Sequence, residues 1–159
     1  MRADPPGEHD VGKIGVPDHI LLKPGPLTPQ ELSVARQHVE IGYRTLAGSK
    51  SSILQLAAAI ALTHHERFDG NGYISGLAGE CIPLEGWIAA IGDVFDALTS
   101  QRVYKPALTI EEVVKVLKDG RGQHFDPHLV DLFLEPLDEV LLIKDRYSDS
   151  RGNTELKNG

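Results

Sequence analysis

The sequence predicts an all-α fold. Apolar residues recur at steps of three and four through most of the chain, two capping boxes mark helix starts, and no segment alternates polar and apolar residues as a half-buried strand does. At 159 residues the chain is of single-domain size and long enough to bury a core.

The elements follow in order. Pro5-Pro6-Gly7 stands directly before Glu8-His9-Asp10 and stops any helix from extending further upstream. In the stretch TPQE, Thr28 is the N-cap, Pro29 takes the first helical position and Glu31 completes a capping box. Leu32, Ala35, Val39, Tyr43 and Leu46 then form one stripe, and Gly48 closes what reads as a single helix. A second helix is predicted from about Ser52 to Glu66, with Ile53, Leu56, Ala57, Ile60 and Ala61 facing inward and His64 continuing that face. The glycine-rich turn from Asp69 to Gly79 follows. In LEGWIAAIGDVFDALTS the stripe is Leu84, Ile88, Ile91, Phe95 and Leu98. TIEE repeats the capping box at Thr109 ahead of Val113, Val116 and Leu117, and Asp126-Pro127 opens a final helix that Pro136 should break. Residues beyond Asp145 lack apolar period, so the domain is assigned to 8–147 and a disordered tail to 148–159.

Composition narrows the function classes. Apolar content of 41% and charged content of 25% are those of an ordinary globular protein. A formal charge of −7 argues against general nucleic-acid or anionic-membrane binding, although a local basic cluster could still hold phosphates. The lone Cys81 excludes an internal disulfide, fits a reducing cytosol, and reads as a small buried apolar group. No apolar run approaches the roughly 18 to 20 residues that cross a bilayer, and MRADPPGEHD is no signal peptide, so a cytoplasmic location is expected.

Metal-ligating residue types gather at a few places. His9-Asp10 are adjacent, and neighbouring helical residues point about 100° apart, so the pair could serve two ions or one; a solvated dipeptide is the plain alternative. His64-His65, at the end of an apolar helix, bring four ring nitrogens that need partners; a shared metal would supply them, as would water and carbonyls. Asp93 points away from its helix's apolar stripe, yet that side is lined by Gly86, Ala89, Ala90 and Ala97. A helix apolar nearly all round is buried, and a buried carboxylate must be paired or bind metal, unless this is merely a small-residue surface. With His38 these make a candidate set whose mixed imidazole and carboxylate donors suit iron, manganese, nickel or zinc. Six donors invite a two-metal centre, which could clamp the attacked and leaving oxygens of a phosphodiester.

At this point the sequence resembles the HD-GYP phosphodiesterases of the HD superfamily. The resemblance rests on HDVGKIGVPDHILLKPGPLT, HVEIG around His38, HHERFDGNGY, IPLEGWIAAIGDVFDALTSQRVYK and GQHFDPHLVDLFL, in that order and at the family's separations. It implies a helical bundle with a glycine-rich signature loop, two or three iron or manganese ions, and hydrolysis of cyclic di-GMP to pGpG or GMP. The implied metal ligands are His9, Asp10, His38, His64, His65 and Asp93, with Asp10 bridging and catalytic. Lys13, Arg102 and Lys105 are the implied phosphate contacts, and Tyr73 would stack on a guanine. The signature loop of Asp69, Gly70, Gly72, Tyr73 and Ile74 would border the site and dock partners such as diguanylate cyclase-type signalling proteins; homodimerisation is left open.

The pattern departs in three places. The signature proline is Ile74, a usually basic position is Trp87, and the family's upstream ligand-bearing helices have no room before Pro5-Pro6-Gly7, so the domain reads as incomplete at its front. These departures motivate an alternative, a catalytically inactive receptor or protein-interaction module; an HD-superfamily hydrolase acting on another nucleotide is a third. His19 and His128 are read as surface or capping residues, and His124 as locally hydrogen-bonded.

Overall fold

The computed structural model describes residues 8–100 and 107–152, with side chains over 10–100 and 107–147. Among the described residues the structure is helical, with no strand and one isolated bridge between Arg121 and Phe125. A 3-10 segment, Glu8–Gly15, bends at Asp10 (φ −95°, ψ 25°) and leads into the short α1 (Asp18–Leu21). Helices α2 (Pro29–Arg36), α3 (His38–Leu46) and α4 (Ser52–Thr63) follow, then a long loop, then α5 (Leu84–Thr99), α6 (Ile110–Asp119), α7 (Pro127–Leu134) and α8 (Leu137–Gly152). No described helix is long and apolar enough to cross a membrane.

The helix starts are where the caps place them. Thr28 accepts from the Glu31 amide while the Glu31 carboxylate accepts from the Thr28 amide, and Thr109 and Glu112 repeat the pair. The Asp126 side chain caps α7, and Pro136 separates α7 from α8.

Three boundaries differ from the sequence reading. The helix over 29–48 is two helices divided at Gln37, where the Ala35 carbonyl accepts the imidazole of His38. Helix α4 stops at Thr63, so His64 is its C-cap and His65 and Glu66 lie in the turn beyond. The backbone of 148–152, assigned to the tail, continues α8; 153–159 lie outside the described residues.

Two regions pack on either side of α5. On one, Ile91 and Phe95 of α5 meet Val113 and Leu117 of α6, Phe125 of the loop that follows and Val130 of α7, with Leu137, Val140 and Leu141 of α8 against them. On the other, the 3-10 segment lies on α3, α3 on α4, and α4 on α5. Small residues close this second region: a Cβ at Gly12 would overlap the His38 carbonyl, so only glycine lets the 3-10 backbone rest on α3. A Cβ at Gly86 would likewise strike Thr63.

That close approach decides which faces are inward. Buried residues are Ala58, Ala61 and Thr63 on α4 and, on α5, the small Gly86 and Ala90 as well as Ile91, Phe95 and Thr99. Ile53 (74% exposed), Leu56 (50%), Leu84 (54%) and Ile88 (57%), assigned to the core by period, stand outward. Both helices carry apolar residues nearly all round, so period alone does not choose the packed side. On α2 and α3 the stripe also turns: His38, Val39 and Gly42 are buried, whereas Tyr43 is exposed. Cys81 is exposed rather than buried.

Candidate metal centre

The second region has a polar centre. The bend at Asp10 sends its carboxylate to the buried seam where the 3-10 segment crosses α3 and α4. His38, the first residue of α3, and His64, at the end of α4, reach the same point. Their Nε2 atoms lie 3.3 and 3.6 Å from Asp10 Oδ1, while Lys13 Nζ donates to Oδ2 at 2.6 Å. The His65 ring stands against His64 (centroids 4.0 Å apart) and edge-on to His38 (5.2 Å).

Backbone carbonyls set the tautomers. Nδ1 of His38 donates to the Ala35 carbonyl at 2.7 Å, and Nδ1 of His64 to that of Ile60 at 3.0 Å. Nε2 is therefore the atom each ring turns toward Asp10. Burial pushes the His38 imidazole below its ordinary value. Burial, with the neighbouring His64 and His38, pushes His65 down to about 3, so at neutral pH both rings are uncharged and offer lone pairs. For Asp10 burial acts upward, but the neighbouring His64 and the Lys13 ammonium outweigh it and hold the carboxyl well below the usual carboxylate range.

Asp10, His38, His64 and His65 each present one donor atom, all within 4.8 Å of one another. The buried Nε2 of His38 has no hydrogen-bond partner among the described residues. An uncharged imidazole nitrogen aimed at a carboxylate is a poor arrangement by itself and a good one around a cation. These four residues fit a divalent ion, and their nitrogen and oxygen donors suit a transition metal better than calcium or magnesium.

The other candidates stand as follows. Asp93 is half-buried at the margin on α5, where its charge acts on His65 and Tyr73, and it is not one of the four clustered donors. The sequence reading makes it buried; it is half-buried, on the same side of α5 as the inward-packed Gly86 and Ala90. The side chain of His9, and all of Arg102 and Lys105, lie outside the described residues. Trp87 is half-buried, with its ring 6.0 Å from that of Phe68.

The glycine-rich loop folds back over the cluster. Asp69 accepts from Arg67 and from the Asn71 amide, and Gly70 and Gly76 take positive φ. Gly72 passes so near Glu66 that a Cβ there would lie 2.5 Å from its Cα. The Tyr73–Ile74 peptide is cis. Tyr73 stacks on His65 (4.8 Å between centroids), and the Arg36 guanidinium lies over the tyrosine ring at 4.5 Å. The resemblance assigns the Tyr73 ring to stacking on a guanine; here the ring is in contact with His65 and Arg36.

Two residues here escape sequence reasoning. Glu66 is 1% exposed and its carboxyl oxygens accept from the amides of Ser75 (2.7 Å) and Leu77 (3.0 Å), pinning the loop. Its place directly after the two histidines was the available signal. Arg36, on a helix far back in sequence, carried none.

An HD-domain family profile matches residues 7–129. Relatives include the cyclic di-GMP phosphodiesterase response regulator RpfG of Xanthomonas campestris, 53% identical over 79% of this chain and 33% of its own. The chain belongs to the HD-domain family, in its HD-GYP branch. A cyclic di-GMP phosphodiesterase of Thermotoga maritima is 48% identical over 89% of this chain and 38% of its own length. The 3'3'-cGAMP-specific phosphodiesterase 2 of Vibrio cholerae is 48% identical over 86% of this chain and 26% of its own length. The chain thus spans well under half the length of each of these relatives.

Proposed function

We propose that this HD domain is a metal-dependent phosphodiesterase that hydrolyses cyclic di-GMP to pGpG or GMP in the bacterial cytoplasm. The observation that carries the reading is the buried group of Asp10, His38, His64 and His65, with imidazole tautomers fixed by backbone carbonyls. The names of the relatives support the substrate class.

Asp10, His38, His64 and His65 would hold one ion, and His9 and Asp93, sharing Asp10, a second; iron or manganese is the assignment, with a third ion left to further ligands. When bound, such ions supply Lewis-acid polarisation of a phosphodiester and acidify water at neutral pH. The chain's own contribution is orientation and charge. Lys13 holds Asp10 at 2.6 Å and keeps the carboxylate ionised, and its ammonium is a compact cation for a nonbridging phosphate oxygen. Arg102 and Lys105 are assigned to the same task. Tyr73, resting on His65, carries Arg36 to the edge of the site and screens His65 from water. The exposed loop residues Asn71, Ile74, Ser75 and Gly76 form the face on which diguanylate cyclase-type partners would dock.

A second reading, a receptor that binds cyclic di-GMP without cleaving it, is favoured by Ile74 and Trp87 standing where the family pattern has proline and a basic residue. One experiment separates the two. The protein and Asp10→Ala are incubated anaerobically with cyclic di-GMP and iron(II) or manganese(II), and products are separated chromatographically. Metal-dependent pGpG or GMP that vanishes in the variant, with helix content retained, is the expected result. Binding without product from the unaltered chain would replace the enzyme with the receptor.

A further inference from the structure

The Tyr73 ring divides two spaces. On one side is His65 and the candidate metal centre; on the other, a cavity of about 550 Å³ opens between α2 and the glycine-rich loop. Its walls include Leu32, Arg36, Gln37, Glu40, Tyr73 and Ile74. The volume lies in the range of small-molecule sites and exceeds what a single base needs.

Its chemistry is not that of a phosphate pocket. Arg36, exposed and lying over the Tyr73 ring, offers a flat, cationic guanidinium face, a surface on which nucleobases stack. Glu40 is four residues on, and Gln37 between them keeps helical backbone (φ −62°, ψ −17°), so the two side chains leave neighbouring positions at the join of α2 and α3. Oε1 of Glu40 takes Arg44 at 2.6 Å, and Oε2 has no partner among the described residues. A carboxylate beside a phosphate site is electrostatically costly for affinity, and it accepts two parallel N–H donors. Guanine presents that pair, N1–H and the exocyclic N2–H; adenine presents an acceptor at N1 and no amino group at C2.

We propose that this cavity is a guanine subsite, in which the base stacks on Arg36 and donates its N1–H and N2–H to Glu40. The proposal rests on the cyclic dinucleotide reading above and supplies what that reading lacks, a reason for one base over another. Leu32 and Ile74 provide apolar walls, and the phosphodiester would lie beyond Tyr73 toward His65.

The test uses the full 159-residue chain, Glu40→Gln and Arg36→Ala. Calorimetry measures binding of cyclic di-GMP and cyclic di-AMP, and manganese(II)-dependent hydrolysis of bis(p-nitrophenyl) phosphate, which has no base, reports the metal centre. Glu40→Gln is expected to weaken cyclic di-GMP about tenfold or more, the loss expected for a bidentate edge contact, and to leave cyclic di-AMP unchanged or tighter. Arg36→Ala should weaken both dinucleotides, and Glu40→Gln should hydrolyse the base-free substrate at the unaltered rate. Variants that bind cyclic di-GMP as tightly as the parent chain would overturn the subsite and leave the phosphodiesterase reading standing. A parent chain that cleaves the base-free substrate and binds neither dinucleotide would overturn both the subsite and the choice of substrate.

Discussion

Leu117, Val113 and Val130 are wholly buried among the side chains of α5, α6 and α7, while the buried centre on the other side of α5 is made of Asp10, His38, His64 and Glu66. The first region is closed by apolar shape, which tolerates no water and asks for no ion. The second is closed by glycine and alanine contacts that bring backbones together and leave a gap lined by donors and acceptors. Stability and chemistry are thus lodged in different halves of one small fold. Burial of two carboxylates and two imidazoles works against folding, so the apolar half is expected to carry the stability that this polar half lacks.

The sharpest way to break that comparison is to damage the apolar half. Leu117→Ala removes a fully buried side chain and should cost roughly 2–5 kcal/mol, read as a lower denaturant midpoint. Turnover per folded molecule, measured well below the unfolding midpoint, should be unchanged. A proportional fall in turnover while the protein remains helical would mean that the two regions are not separable.

The next test works inside the polar half. Glu66→Gln keeps one acceptor oxygen and turns an amino group toward the amide of Ser75 or Leu77 that had the other. The loss, about 1–3 kcal/mol, should be local. Hydrogen exchange at Ser75 and Leu77 should quicken, whereas amides near Leu117 keep their protection. Equal loss of protection at both places would make Glu66 a global strut instead of a loop anchor.

How far the sequence could be read divides along the same line. Helix starts at Thr28, Thr109 and Asp126 were legible because a cap is a local hydrogen bond between residues three apart. Asp10, Lys13, His38, His64 and His65 were legible as residue types that a buried cluster needs, and the structure brings all five together. The packed faces of α4 and α5 were legible only in part: Ala61, Ile91 and Phe95 are buried as the period places them, whereas Ile53, Leu56, Leu84 and Ile88, which obey the same period, stand outward. What decides between them is backbone approach, Gly86 against Thr63, a contact between distant segments that no single-helix pattern records. Arg36 was hidden for the same reason: it reads as a surface cation until the loop after His65 lays Tyr73 beneath it.

The smallest expected effect concerns the cap that starts α2, the helix carrying Arg36. The Lys23 ammonium and the Thr28 amide both donate to the Glu31 carboxylate, at 2.6 and 2.7 Å, and these contacts hold the Glu31 pKa down to about 2. A depressed carboxyl pKa stabilises the folded state fully above its unfolded value, near 4.3, and that contribution drains away as the pH falls toward 2. The thermal midpoint of the parent chain should therefore exceed that of Glu31→Gln by a small, constant margin near neutral pH, and the margin should close as acid titrates the group. Because the cap lies far from the donors around Asp10, metal affinity at neutral pH should be the same in both proteins. A margin that stayed constant through the titration would assign the cap's benefit to packing and not to charge, and would take Lys23 out of the account.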